Sequence, residues 1–203
     1  MQKRVYISAD YAPGSGDQDV VDVLNRWGRD NLRKVNFVDM AKVVSGSISD
    51  DSDCRSCDLK AEFNRQINAS SAVIFVVGDK TASRTAGSNC ARVGKDQSEC
   101  SCTPYKQNIN GAKRCKVNIT CAADPDGDVG NINNYSYLKQ EFEQAKKKNK
   151  DIIIVYNSLR KEVNWLPSYM KDYEAQAQPF WIKNILGDKI GNYTYIKQAL
   201  DHE

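Results

Sequence analysis

The chain has 203 residues, 40% of them hydrophobic and 27% charged, with a formal net charge of +3. That length supports one domain with a sizeable core, and so small a charge, without an aromatic-rich basic patch, leaves no footprint for nucleic acid. The only histidine is His202, so neither a catalytic triad nor a histidine metal cluster is expected, and chemistry must rest on carboxylates, thiols, hydroxyls or a cofactor.

Arg4-Val5-Tyr6-Ile7-Ser8 alternates and is β-branched enough to predict a first strand, closed by Ala9-Asp10-Tyr11 and a turn through Pro13-Gly14-Ser15-Gly16. Asp17 or Asp19 is expected to cap a helix that spaces Val20, Val21, Leu24, Trp27 and Leu32 along one face. Val35 to Asp39 is a second short strand, with Asp39 at its carboxyl end. After a polar loop, Ser45 to Asp53, the residues Leu59, Phe63 and Ile67 recur at helical spacing between Cys57 and Ala69. Ala72 to Gly78 is apolar throughout, which marks a strand buried on both faces at the centre of a parallel sheet.

From Asp79 to Asn133 the periodicity stops, in a run rich in Gly, Asn, Ser, Asp and Cys. Connections in α/β units usually take about 2–6 residues, so this run reads as an insertion between a strand and the next helix. Helical spacing returns at Leu138, Phe142 and Ala145, with Tyr135 a turn earlier. Lysines crowd the last turn, where the helix dipole favours cations. Tyr137 and Glu141 are four apart and share a helix face. Ile152 to Val155 then reads as a buried strand, Ser168 to Ala177 as a short helix, Phe180 to Ile182 as an edge strand or buried turn, and Tyr193 to Leu200 as a terminal helix.

Alternation of strand and helix predicts an α/β fold: one domain, residues 1–203, with a parallel sheet, helices on both faces and a Cys-rich insertion at about 79–133. Ligands of such sheets sit beyond the carboxyl ends of the strands. That edge gathers Ser8 to Gly16, Asp39, Gly78 to Arg84 and the start of the helix carrying Glu141. No apolar run approaches membrane-spanning length, and the opening residues are not followed by a secretory apolar core, so a cytoplasmic protein is expected.

Seven cysteines are many. Cys54-Arg55-Ser56-Cys57 opens a helix, whose N-terminus lowers thiol pKa values, but a thioredoxin-type motif should follow the first strand and this one follows the second. Cys90, Cys100, Cys102, Cys115 and Cys121 lie in the insertion as candidate ligands of a structural zinc. The single-residue spacing of Cys100 and Cys102 departs from the usual zinc knuckle, and free thiols are the alternative. Asp124-Pro125-Asp126-Gly127-Asp128 is acidic but has neither the glycine nor the glutamate placement of a calcium loop, and reads as a turn.

Arg4 to Tyr11, Asn25-Arg26-Trp27, Ala72 to Gly78, and Tyr137-Leu138-Lys139-Gln140-Glu141 before Ile152 to Tyr156 together resemble the TIR-like family, more narrowly the bacterial TIR-like proteins of the Thoeris antiphage system. The likeness covers about the first 80 residues and roughly 134–160. It implies a flavodoxin-like, doubly wound sheet and an enzyme that cleaves the nicotinamide–ribose bond of NAD. It further implies a cyclic ADP-ribose-type signal that reaches a separate effector protein, and self-association through TIR–TIR contacts. The family's essential glutamate, on the helix after the third strand, falls on Glu141. Its aromatic partner falls on Tyr137, where the family often has tryptophan. Glu141 would stabilise an oxocarbenium-like transition state or hold the ribose hydroxyls, and Tyr137 would stack on a ring of the ligand. Ser8, Ala9, Asp10 and Tyr11, with Asp39, would line the nucleotide site, and Arg84 would meet a phosphate.

Two rival readings stand beside this one. The first is a non-catalytic TIR-like adaptor or nucleotide-binding signalling module. The second is a flavodoxin-like redox module using Cys54 and Cys57. An acid near the first turn of a helix is ordinarily a solvated residue favoured by the dipole, which is how Glu141 reads without the resemblance, and its neighbour Glu143 reads as the more ordinary surface acid.

Overall fold

The computed structural model describes residues 3–11, 14–30, 35–39, 59, 62–84, 105–107, 113–115 and 136–200. In chain order its elements are β1 (Lys3–Ser8), α1 (Asp17–Gly28), β2 (Val35–Asp39), α2 (62–68), β3 (Ala72–Val77), β4 (Tyr105–Gln107), β5 (Lys113–Cys115), α3 (Tyr137–Lys147), β6 (Asp151–Tyr156), β7 (Gln178–Pro179), β8 (Trp181–Lys183), β9 (Lys189–Gly191) and α4 (Tyr193–Leu200). Short 3-10 turns occupy Thr81–Ser83, Val163–Trp165 and Ser168–Tyr173.

Five strands form one sheet in the order β2-β1-β3-β6-β7, and every neighbouring pair is parallel. Every residue of β3 is buried, as its unbroken apolar composition requires. The pleat divides those residues between two cores. Val73, Phe75 and Val77 pack with Phe63 and Ile67 of α2 and with Leu138, Phe142 and Ala145 of α3. Ala72, Ile74 and Val76 pack with Val20, Val21 and Leu24 of α1 and with Ile196 and Leu200 of α4. Helices therefore cover both faces, and the expected α/β layering holds.

The chain leaves β1 for β2 on one side and returns as β3 on the other. The strand order thus reverses between β1 and β3, which opens a crevice at their carboxyl ends, beyond Ser8 and Val77.

Several local expectations change. Neither Asp17 nor Asp19 caps α1: the cap is Gly16, in the left-handed region at φ 83°, with no side-chain bond. Both aspartates instead lie in the first turn, where the dipole favours them. The helix ends at Gly28, and Leu32 lies outside the described residues. At α3 the cap is Ser136, whose Oγ accepts from the Lys139 N–H at 3.1 Å, while Tyr135 lies outside the described residues.

The 168–177 segment makes only the 3-10 stretch Ser168–Tyr173. Phe180 separates two roles: β7 joins the sheet edge beside β6, while β8 pairs antiparallel with β9 in a separate hairpin. Pro179, with no N–H to donate, suits that edge position.

Between residues 79 and 133, β4 and β5 pair with each other in their own antiparallel hairpin, outside the main sheet. Cys54, Cys57, Cys90, Cys100, Cys102 and Cys121, the acidic turn Asp124 to Asp128 and His202 lie outside the described residues. Among the described residues, no helix is long and apolar enough to cross a membrane.

Candidate active site

Glu141 sits one turn into α3, and the helix turns it inward because Leu138, Phe142 and Ala145 anchor the same side in the core. Its side chain is only 4% exposed. Both carboxylate oxygens are engaged from β1: Tyr6 Oη donates to Oε1 at 2.7 Å, and Ser8 Oγ donates to Oε2. Burial pushes the Glu141 carboxyl up to about 8, with the negative charge of Asp10 adding to the rise, against the opposing hydrogen bonds from Ser8 and Tyr6. At neutral pH the ligand-free group is therefore mostly protonated. A cation brought beside it would favour the ionised form.

Asp10 lies two residues past the end of β1. Burial pushes it up to about 6; Arg84 opposes the shift and Asp17 adds to it. Its Oδ2 is buried with no hydrogen-bond partner among the described residues. Arg84 is exposed, at the end of the 3-10 turn after β3, close enough to influence both Asp10 and Asp17. Asp17, buried at the start of α1, is also raised, chiefly by burial. It accepts from Asn157 Nδ2 at 2.6 Å, and the same amide donates to the Ser15 carbonyl at 2.6 Å.

Asp39 belongs to a neighbouring node. Its two oxygens accept from Tyr11 Oη at 2.7 Å and from Asn25 Nδ2 at 2.9 Å. Tyr11 itself stands in the left-handed region at φ 49°. A carboxylate so engaged fixes the loop after β1, and Ala9 lies within that loop, partly buried. Tyr137 sets its ring edge-on against Phe63, with centroids 5.5 Å apart, within the hydrophobic cluster beneath α3.

Of the residues singled out from sequence, then, Glu141, Ser8 and Asp10 converge, with Arg84 at the rim. Tyr11 and Asp39 support the loop, and Tyr137, partly buried, packs against the core. Sequence reasoning missed four polar partners: Tyr6, Asn25, Asp17 as an acceptor, and Asn157. The Tyr6-x-Ser8 spacing was a usable signal, since alternate strand residues share a face. So was Asn157, the first polar residue after β6 at the carboxyl edge.

No group of three or more metal-ligating side chains comes together among the described residues. A groove of about 660 Å³ lies at the other end of β6, lined by residues such as Lys150, Asp151, Tyr173, Gln178 and Tyr195. It shares no residue with the carboxylate cluster. The chain matches no protein-family model, no curated protein and no solved structure.

Proposed function

We propose that the chain is a TIR-like enzyme that splits the nicotinamide–ribose bond of NAD, with Glu141 as its essential acid. The observation that carries this reading is a buried carboxylate, braced by Ser8 and Tyr6, at the edge where the strand order reverses. Counted along the sheet, the strands run 2-1-3-4-5, the flavodoxin-like order, which supports a TIR-like fold.

The reaction breaks the bond between the ribose anomeric carbon and the ring nitrogen, and the bonding pair leaves with nicotinamide as a neutral ring. No general acid is needed, which suits a chain with one histidine. Positive charge develops on the ribose, and an ionised Glu141 stabilises it. Water then adds to give ADP-ribose and a proton; attack by an adenine nitrogen would instead give a cyclic product and a proton. NAD also brings the cationic ring that draws Glu141 toward its ionised form. Arg84 would face the pyrophosphate. The product would carry an antiphage signal through the cytoplasm to a separate effector, and copies of the chain would associate through TIR–TIR contacts.

A non-catalytic adaptor is the second reading, and one observation favours it: Glu141 is 4% exposed and hydrogen-bonded through both oxygens, as a purely structural acid would be. Concentrated protein incubated with NAD separates the two. Nicotinamide release that disappears in Glu141→Gln is the expected result. Undiminished turnover in that variant overturns the role of Glu141, and no release by the unaltered chain favours the adaptor.

A further inference from the structure

The helix turns Glu141 inward, but its carboxyl group is held by a strand. Its two hydroxyl partners, Tyr6 and Ser8, are alternate residues of β1 and so project from the same face. The ring of Tyr6 is fully buried in the cluster with Phe63, Val73 and Phe75, a place phenylalanine would fill equally well. The hydroxyl is what phenylalanine lacks, and that hydroxyl finds Glu141. Burial, with the nearby carboxylate, holds the Tyr6 phenol well above its ordinary value, so it remains a donor. A donor to a carboxylate favours the charged form.

We propose that Tyr6 is a positioning residue for Glu141: with Ser8 it forms a two-hydroxyl clamp that fixes the carboxyl group's orientation and favours its ionised form. Each carboxylate oxygen can accept about two hydrogen bonds, so the clamp leaves capacity on both for the paired hydroxyls of a ribose. Other groups face the pair from several elements. Asp10 and Tyr11 approach from the loop after β1, Tyr169 from the 3-10 turn Ser168–Tyr173, and Glu62 of α2 lies near Tyr6. Of these, Asp10 opposes ionisation of Glu141, and the two hydroxyls favour it.

The catalytic meaning of the clamp rests on the proposed NAD chemistry, but the clamp can be tested without it. Infrared difference spectra of the full chain, recorded against pH and assigned with Glu141→Gln, report the protonation midpoint of Glu141 directly. Tyr6→Phe keeps the ring and is expected to raise that midpoint by about one pH unit. Ser8→Ala is expected to move it in the same direction, and it decides the matter should Tyr6→Phe fail to fold. An unmoved midpoint in a folded variant overturns the clamp, whether or not the chain cleaves NAD.

With NAD, the acid limb of the kcat/KM profile should shift upward in Tyr6→Phe, lowering the rate at pH 7 roughly tenfold while the alkaline plateau recovers. A profile scaled down without change of shape would assign Tyr6 to packing alone. Absence of nicotinamide release together with a shifted midpoint would retain the clamp and reject the NAD reading.

Discussion

Glu141 weakens the fold it sits in, and the sign follows from its proton affinity. The folded chain holds the proton up to about pH 8, whereas an unfolded carboxyl loses it near its ordinary value of 4.5. Between those limits the native state binds more protons than the unfolded state, so stability falls as pH rises and then levels off. Each unit of separation corresponds to about 1.4 kcal/mol. Glu141→Gln removes this titration while keeping a polar side chain of similar size. Calorimetry should show the variant melting above the parent, with the gap widening from pH 5 to pH 8 and constant beyond. A gap independent of pH would contradict the buried-acid assignment. Asp10 and Asp17 are raised as well, so the edge concentrates groups that work against stability, as functional sites commonly do. At this scale the sequence was partly legible. Helical spacing left Glu141 reading as a solvated acid and only the family likeness singled it out, while Tyr6 read only as a strand residue, because periodicity reports where a ring goes and says nothing of its hydroxyl.

The loop between β1 and α1 is tied down by one amide from the far end of the chain. Asn157 leaves β6 and reaches Ser15 and Asp17, the latter 140 residues away. Gly78 makes room for it: a Cβ there would stand 2.7 Å from Asn157 Nδ2 and 3.2 Å from Asp17 Oδ1. Gly78→Ala should therefore displace the amide, and Asn157→Ala should delete it. Each is expected to cost about 1–3 kcal/mol in denaturant unfolding, mainly by stranding the buried Asp17. Because both act on one network, the double variant should lose clearly less than the sum. Strict additivity would show that Gly78 serves another purpose. The same tie explains why a side-chain cap at Asp17 was expected and not found. Sequence capping rules see only the local backbone, whereas Asp17 is claimed by Asn157, just past the end of β6. Ser136, whose partner Lys139 is three residues on, is by contrast a cap made within the local backbone.

Across the whole molecule, the sheet was legible because β1, β3 and β6 announce themselves by composition, and because alternation with helices leaves few topologies. The hairpin of β8 and β9 was not. Its tip leaves Ile185 and Leu186 fully or largely exposed, and hydrophobicity alone cannot foretell an apolar residue placed outside the core. The 79–133 run is the largest architectural question, and topology says where it starts and finishes. Since β3 and β6 are parallel neighbours, the chain must leave the carboxyl end of β3 and return along α3 to the amino end of β6. Both junctions, at Thr81–Ser83 and at Ser136, therefore fall on the edge that holds Glu141. The strands β4 and β5 add nothing to the main sheet. Replacing residues 86–130 with a short Gly/Ser linker should accordingly preserve the far-UV circular dichroism of the α/β layers and a single cooperative melt. Under the proposed NAD chemistry it should alter nicotinamide release or its activation by phage-infected lysate, because both ends of the segment join the edge that holds Glu141. A shortened chain that folds and turns over NAD as the parent does, with the same activation, would reduce the insertion to a spacer.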